Sequence, residues 1–176
     1  KYSKFKVGDK ETIIHKLTQQ DIDKFVDLSG DDNKLHVDKL FASRTSYKKP
    51  VAHGMIGASF ISTIIGTKIP GDGALWYSQS IEFLLPVRVG DTLTITAEII
   101  NKIDKQNSIE LETNILNQHK QKVTTGIAKV KIIDLLEEDS LSIDNKKSIK
   151  KVALILGASG GIGTSVAKTL ANENYS

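Results

Sequence analysis

Ala52-His53-Gly54-Met55-Ile56-Gly57-Ala58-Ser59-Phe60-Ile61-Ser62-Thr63-Ile64-Ile65 is the stretch on which the fold turns. It follows Pro50, stops at Gly66 and is apolar or small on every face, as expected of a helix buried on most sides. Gly54, Gly57, Ala58, Ser59 and Ser62 leave room for neighbouring backbone, as when a curved sheet wraps around a central helix.

C-terminal to this stretch the apolar period becomes two. Leu75, Tyr77, Gln79, Ile81 and Phe83 share one strand face, and Pro86 closes the run. Leu93, Ile95, Ala97 and Ile99 alternate with Thr92, Thr94, Thr96 and Glu98. Ile109, Leu111, Thr113 and Ile115 alternate with Ser108, Glu110, Glu112 and Asn114. These read as half-buried antiparallel strands. In the last one the apolar phase moves from Val123 to Ala128, Val130 and Ile132, which places a bulge near Gly126. A buried helix followed by consecutive antiparallel strands implies an α+β domain whose sheet packs on that helix.

N-terminal to it, Thr18-Gln19-Gln20-Asp21 has the form of a capping box, and Ile22, Phe25 and Val26 follow on one helical face to about Leu28. Ser29-Gly30 ends that helix. Asp31-Asp32-Asn33-Lys34-Leu35-His36 has no period and is dense in turn formers, so its side chains are expected on an irregular loop. A second short helix is expected from Asp38 to Ser46.

The 176 residues suffice for a substantial core, and a hydrophobic fraction of 39% with 26% charged is an ordinary soluble composition. The absence of cysteine excludes disulfides, thiolate metal sites and a cysteine nucleophile, which fits a cytoplasmic protein. The N-terminus lacks the apolar run of a signal peptide, and no stretch is long enough for a membrane span. A net charge of +3 with scattered basic residues calls for no nucleic-acid partner. Arg44, Lys48 and Lys49 cluster ahead of Pro50, as a solvated face or as an attractor for a polyanionic ligand. No set of histidines and acids has metal-ligand spacing, so no metal is expected.

Three segments in this order carry a resemblance. Ser29-Gly30-Asp31-Asp32-Asn33-Lys34-Leu35-His36 resembles the signature loop of the R-specific enoyl-CoA hydratases of the MaoC-like family. Pro50-Val51-Ala52-His53-Gly54-Met55 resembles that family's approach to its central helix, and Phe83-Leu84-Leu85-Pro86-Val87-Arg88-Val89-Gly90-Asp91 its strand and turn. Where the family usually has proline after the loop asparagine, this chain has Lys34.

The resemblance implies a hot-dog fold, an antiparallel sheet wrapped around a central helix. It also implies hydration of trans-2-enoyl thioesters to R-3-hydroxyacyl thioesters with no cofactor, on coenzyme A or an acyl carrier protein. A homodimer is implied as well. Hydration needs a base to activate water at C3, a proton for C2 and stabilisation of the charge that builds on the thioester oxygen. Asp31 and His36 are the expected acid–base pair. Gly54, whose N–H starts a helix without a side chain in the way, is the expected oxyanion donor. Asn33 is expected to brace the loop, and Ser62 either bonds toward the site or only lies on the helix. His53 is expected to be packed or capping, and His15 and His119 to lie at the surface.

Two alternatives stay open. A hot-dog thioesterase would place a carboxylate on the central helix, which here has no Asp or Glu. A non-catalytic acyl-thioester-binding module would keep the fold without turnover.

Beyond residue 134, where the hydratase domain (1–134) ends, Leu135 to Lys150 is charged and aperiodic and reads as a linker. In 151–176, Val152-Ala153-Leu154-Ile155-Leu156 is a continuous apolar run, and Gly157-Ala158-Ser159-Gly160-Gly161-Ile162-Gly163 leads into a helical stretch ending near Ala171. This partial Rossmann βα element resembles the opening of short-chain dehydrogenase/reductases, although Leu156 stands where that family has threonine. The resemblance implies that Gly157, Gly161 and Gly163 would serve NAD(P) only in a domain continuing past Ser176, because a complete βαβ unit takes about thirty residues or more. A hydratase fused to a 3-hydroxyacyl reductase is the expectation.

Overall fold

A computed structural model describes residues 1–133 of the chain. Five antiparallel strands, β1 (Lys10–Lys16), β2 (Ala74–Phe83), β3 (Thr92–Ile103), β4 (Ser108–Leu116) and β5 (Lys122–Ile132), form one sheet in the order β1-β3-β4-β5-β2. Four helices, α1 (Gln19–Ser29), α2 (Lys34–Val37), α3 (Lys39–Ser43) and α4 (Gly54–Thr67), lie between β1 and β2 in sequence. None of the described helices is long and apolar enough to cross a membrane.

The core lies between the sheet and α4. Ile61, Ile64 and Ile65 from the helix meet Leu93, Ile95, Ile99, Ile109, Leu111, Ile115, Val130 and Ile132 from the strands, all buried. Burying each such side chain is worth about 1.5–3 kcal/mol, so α4 is held by its packing more than by propensity, which two internal glycines and several β-branched residues lower. Gly57 makes room for a side chain and not, as expected, for neighbouring backbone, since a Cβ there would meet Ile115 Cδ1 at 2.8 Å. Leu17, Ile22 and Ile56 form a smaller core under α1.

The N-terminal half of α1 follows its sequence signals. Thr18 and Asp21 form the reciprocal capping box, and Gly30 ends the helix with a left-handed φ of 74°. The segment after it is more ordered than expected. Lys34–Val37 forms one helical turn, so His36 stands on a turn and not on an irregular loop, and the following helix, N-capped by Asp38, runs only over Lys39–Ser43.

Four further differences have physical causes. β1 had no alternation to reveal it, because it is an edge strand in which only Ile13 and His15 are half-buried. In β2 the register slips between Trp76 and Ser78, so Ala74 and Trp76 precede Gln79 and Ile81 on the inner face, while Leu75 and Tyr77 are exposed. The β5 irregularity lies at Val123, where Lys122 and Thr124 pair with successive residues of β4, and not at Gly126. Gly126 pairs in regular register, and the Ser80 carbonyl and Gln79 amide occupy the space a Cβ there would need. Last, α4 is buried on one side only, because a five-stranded sheet covers one side of a helix; Met55, Ser59, Ser62, Thr63 and Gly66 are exposed. The linker and the glycine-rich Gly157, Gly161, Gly163 turn lie outside the described residues.

Candidate active site

The loop that carries Asp31 and His36 is built from side chains bonding back to their own backbone. Ser29 Oγ donates to Phe25 O at 2.6 Å and accepts from Asp31 N–H at 3.2 Å, which sets where the Asp31 segment leaves the helix. Asp31 Oδ1 accepts from Asn33 N–H at 3.3 Å. Asn33 Oδ1 accepts from Leu35 N–H at 3.0 Å, so Asn33 is the N-cap of α2 and braces the turn bearing His36. Lys34 is the first helical residue, the position where proline is favoured for its fixed φ. Here the Asn33 cap holds the turn.

Two longer hydrogen bonds tie this loop to the segment just ahead of α4. His36 Nδ1 donates to Val51 O at 2.7 Å, which makes the other nitrogen, Nε2, the bare acceptor of the neutral ring. His53 Nε2 donates to Asp31 O at 2.9 Å. The His53 ring is 4% exposed and lies between two others, 3.9 Å from the His36 centroid and 4.9 Å from that of Phe25. His53 occupies the N-cap position of α4, but its side chain does not cap; it reaches Asp31 instead.

The result is convergence. An oxygen of Asp31, a ring nitrogen of His36 and a ring nitrogen of His53 lie within 4.8 Å of one another. That spacing suits one water held between acid and imidazole. A cation could also be held by two imidazoles and a carboxylate, but His53 Nε2 already serves Asp31 O, and its Nδ1 is buried. That leaves the Asp31 carboxylate and His36 Nε2 as open donors, fewer than the three protein ligands of catalytic zinc sites.

Gly54 begins α4 beside this pair. Its N–H has no acceptor among the described residues, as expected of a first-turn donor, and the helix dipole adds positive potential there. A cavity of about 320 Å³ opens next to it, bounded by His53, Gly54, Gly57, Phe83, Leu93 and Ile115 among others. Asp31 and His36 do not line this cavity, so it meets the acid–base pair across His53 and Gly54. Ser62 is not brought to the pair within one chain. It is exposed and stands eight residues along α4 from Gly54, about 12 Å by helical rise.

Of the other histidines, His119 is exposed as expected. His15 is not a bare surface residue: Nε2 lies 2.9 Å from Asp21 Oδ2 and the ring stacks on Phe60 at 4.2 Å. Arg88 lies in the strand-and-turn segment that carries the resemblance, but no role was expected of it. Its guanidinium donates to the carbonyls of Tyr47 at 2.9 Å, Lys49 at 2.8 Å and Pro50 at 3.1 Å, clamping the chain just before Val51. An arginine in a strand-to-turn segment carries no local sign of such a task.

A five-stranded sheet over a central helix, with an Asp/His pair at the helix start, defines the class of hot-dog hydro-lyases. A family model for the MaoC like domain matches residues 8–121. An (R)-specific enoyl-CoA hydratase of Aeromonas caviae is 36% identical over 126 residues, 72% of this chain and 94% of that protein. An (R)-specific enoyl-CoA hydratase of Rhodospirillum rubrum is 36% identical over 112 residues, 64% of this chain and 78% of that one. The solved structure of the A. caviae (R)-hydratase matches with a TM-score of 0.71 at 35% identity, covering 73% of this chain and 98% of that one. The chain belongs to the MaoC-like family.

Proposed function

We propose that this domain interconverts trans-2-enoyl thioesters and R-3-hydroxyacyl thioesters by adding or removing water, with Asp31 and His36 as the acid–base pair and Gly54 N–H on the thioester oxygen. The observation that carries the reading is the approach of the Asp31 and His36 groups to within 4.8 Å beside the free N–H of Gly54. A water between the Asp31 carboxylate and His36 Nε2 hydrogen-bonds to both, gives up one proton to the pair, keeps the other and directs its lone pair at C3. As the C3–O bond forms, the double bond's electrons move toward C2 and the thioester oxygen, where Gly54 N–H and the dipole of α4 stabilise the charge. The pair returns the water's proton to C2. Acid–base catalysis of this kind supplies about 10²–10⁴-fold, and one oxyanion donor about 10²–10³-fold.

The acyl chain would occupy the cavity behind Gly54 and Phe83, and the anionic carrier, coenzyme A or an acyl carrier protein, would approach over exposed Arg44, Lys48 and Lys49. A homodimer is favoured by the edge position of β2 and by the uncovered side of α4. NAD(P) would be bound only by a complete C-terminal domain.

The test follows the enone absorbance of crotonyl-CoA with wild type, Asp31→Asn and His36→Ala, and resolves the product's chirality. Loss of activity by orders of magnitude in both folded variants, with R product from wild type, is expected. Equal rates in all three would remove the assignment.

A further inference from the structure

We infer that His53 is a positioning residue for hydration, holding Asp31 by a hydrogen bond and His36 by ring contact. The inference rests on the hydratase reading above. The His53 side chain touches both members of the pair. Its Nε2 donates to Asp31 O at 2.9 Å and stands 3.9 Å from the Asp31 carboxylate oxygen, while its ring lies 3.9 Å from that of His36. The ring cannot drift, because it is 4% exposed and has Phe25 nearby at 4.9 Å.

The side chain is also an expensive choice for packing alone. Nδ1 is buried with no hydrogen-bond partner among the described residues, a cost that a phenylalanine or leucine in the same space would not carry. The return is geometric. Asp31 is half-exposed and otherwise held by the local bonds of its own loop, so among the described residues it is His53 that hydrogen-bonds the Asp31 backbone to the start of α4. His53 and Gly54 are adjacent, so one residue sets the distance between the acid–base pair and the oxyanion donor.

The experiment compares wild type, His53→Phe, which keeps a ring without the donor, and His53→Gln, which keeps an amide donor without the ring. Both are also combined with Asp31→Asn. For crotonyl-CoA, His53→Phe is expected to lower kcat by about 10²-fold, the cost of misplacing a catalytic group by about 1 Å, with little change in KM. His53→Gln should recover part of that loss. Adding His53→Phe to Asp31→Asn should cost little more, because both act through one carboxylate. Wild-type kcat in His53→Phe, or fully multiplicative losses in the double variant, would overturn the inference. Should His53→Phe fail to fold, the His53→Gln cycle with Asp31→Asn decides by the same criterion. An inactive wild type would count against the hydratase reading, and His53 is then judged by NMR: the His36 Nδ1 proton, sheltered by Val51 O, should exchange faster in His53→Gln, which removes the ring that packs on His36, and unchanged exchange overturns the inference.

Discussion

Gly54 at the start of α4 and Phe83 at the end of β2 are in such close contact that a Cβ on Gly54 would lie 2.6 Å from Phe83 Cε1. The aromatic ring therefore closes one side of the glycine and leaves its N–H as the open feature of the helix start. Gly54→Ala is expected to push the ring into the cavity and to lower kcat about 10²-fold, near the value of one oxyanion donor. Phe83→Ala in the same chain should restore part of the rate by making room. A kinetically silent Gly54→Ala would remove Gly54 from the mechanism.

Asp21 governs an acid-sensitive part of the stability. Burial alone would raise its carboxyl pKa, but the hydrogen bonds from His15 and from Thr18 N–H and Oγ, together with the charge of His15, lower it below the usual 3.8. A depressed folded value means the carboxylate stabilises the fold above the unfolded pKa, and the contribution is lost as pH falls through the folded one. Asp21→Asn should cost about 1 kcal/mol at pH 7 in urea unfolding. The gap to wild type should shrink below about pH 4. A gap independent of pH would show that the charge plays no part.

How much of this was legible in the sequence depended on the range of the interactions. The alternation of β3 and β4 was readable because both strands run through the sheet's interior and every second residue is buried. The bulge at Tyr77 was not, since it is a fact of pairing between β2 and β5, some fifty residues apart, and the one at Val123 is set by how β4 and β5 pair beside the turn that joins them. Asp31 and Asn33 could be picked out because their side-chain hydrogen bonds span two residues and use turn-forming types, and His36 because the loop they belong to resembles the family's signature. The bonds His36–Val51 and His53–Asp31 cross 15 and 22 residues, and Arg88 reaches its carbonyls across 38 to 41, so no local pattern records them. α4 misled for a different reason: its residues are apolar or small all round, yet the sheet covers only one side of it and leaves Met55, Ser59, Ser62, Thr63 and Gly66 exposed.

Arg88 offers a test of how far the approach to α4 is prearranged. Its guanidinium holds three carbonyls of one loop, those of Tyr47, Lys49 and Pro50, in a geometry that a lysine ammonium cannot match. Arg88→Met should lower stability by about 1–2 kcal/mol, and kcat by about tenfold through the Val51 carbonyl that orients His36. Arg88→Lys should recover stability more than rate. Equal recovery of both would mean that the clamp acts on folding alone.

The cavity gives the last prediction. Ile115 is buried at its wall, and its Cδ1 is the atom that a Cβ at Gly57 would strike, so this methyl group limits the space beside α4. Ile115→Val removes it at a cost of about 0.5–1.5 kcal/mol, measurable as a shift in the urea midpoint. If the acyl chain lies in this cavity, the freed volume admits a longer tail. One methylene in an apolar pocket is worth about tenfold or more in discrimination. The ratio of kcat/KM for trans-2-hexenoyl-CoA to that for crotonyl-CoA should therefore rise about tenfold. Because Ile115 touches neither Asp31 nor His36, kcat for crotonyl-CoA should stay near wild type. An unchanged ratio would place the acyl chain elsewhere.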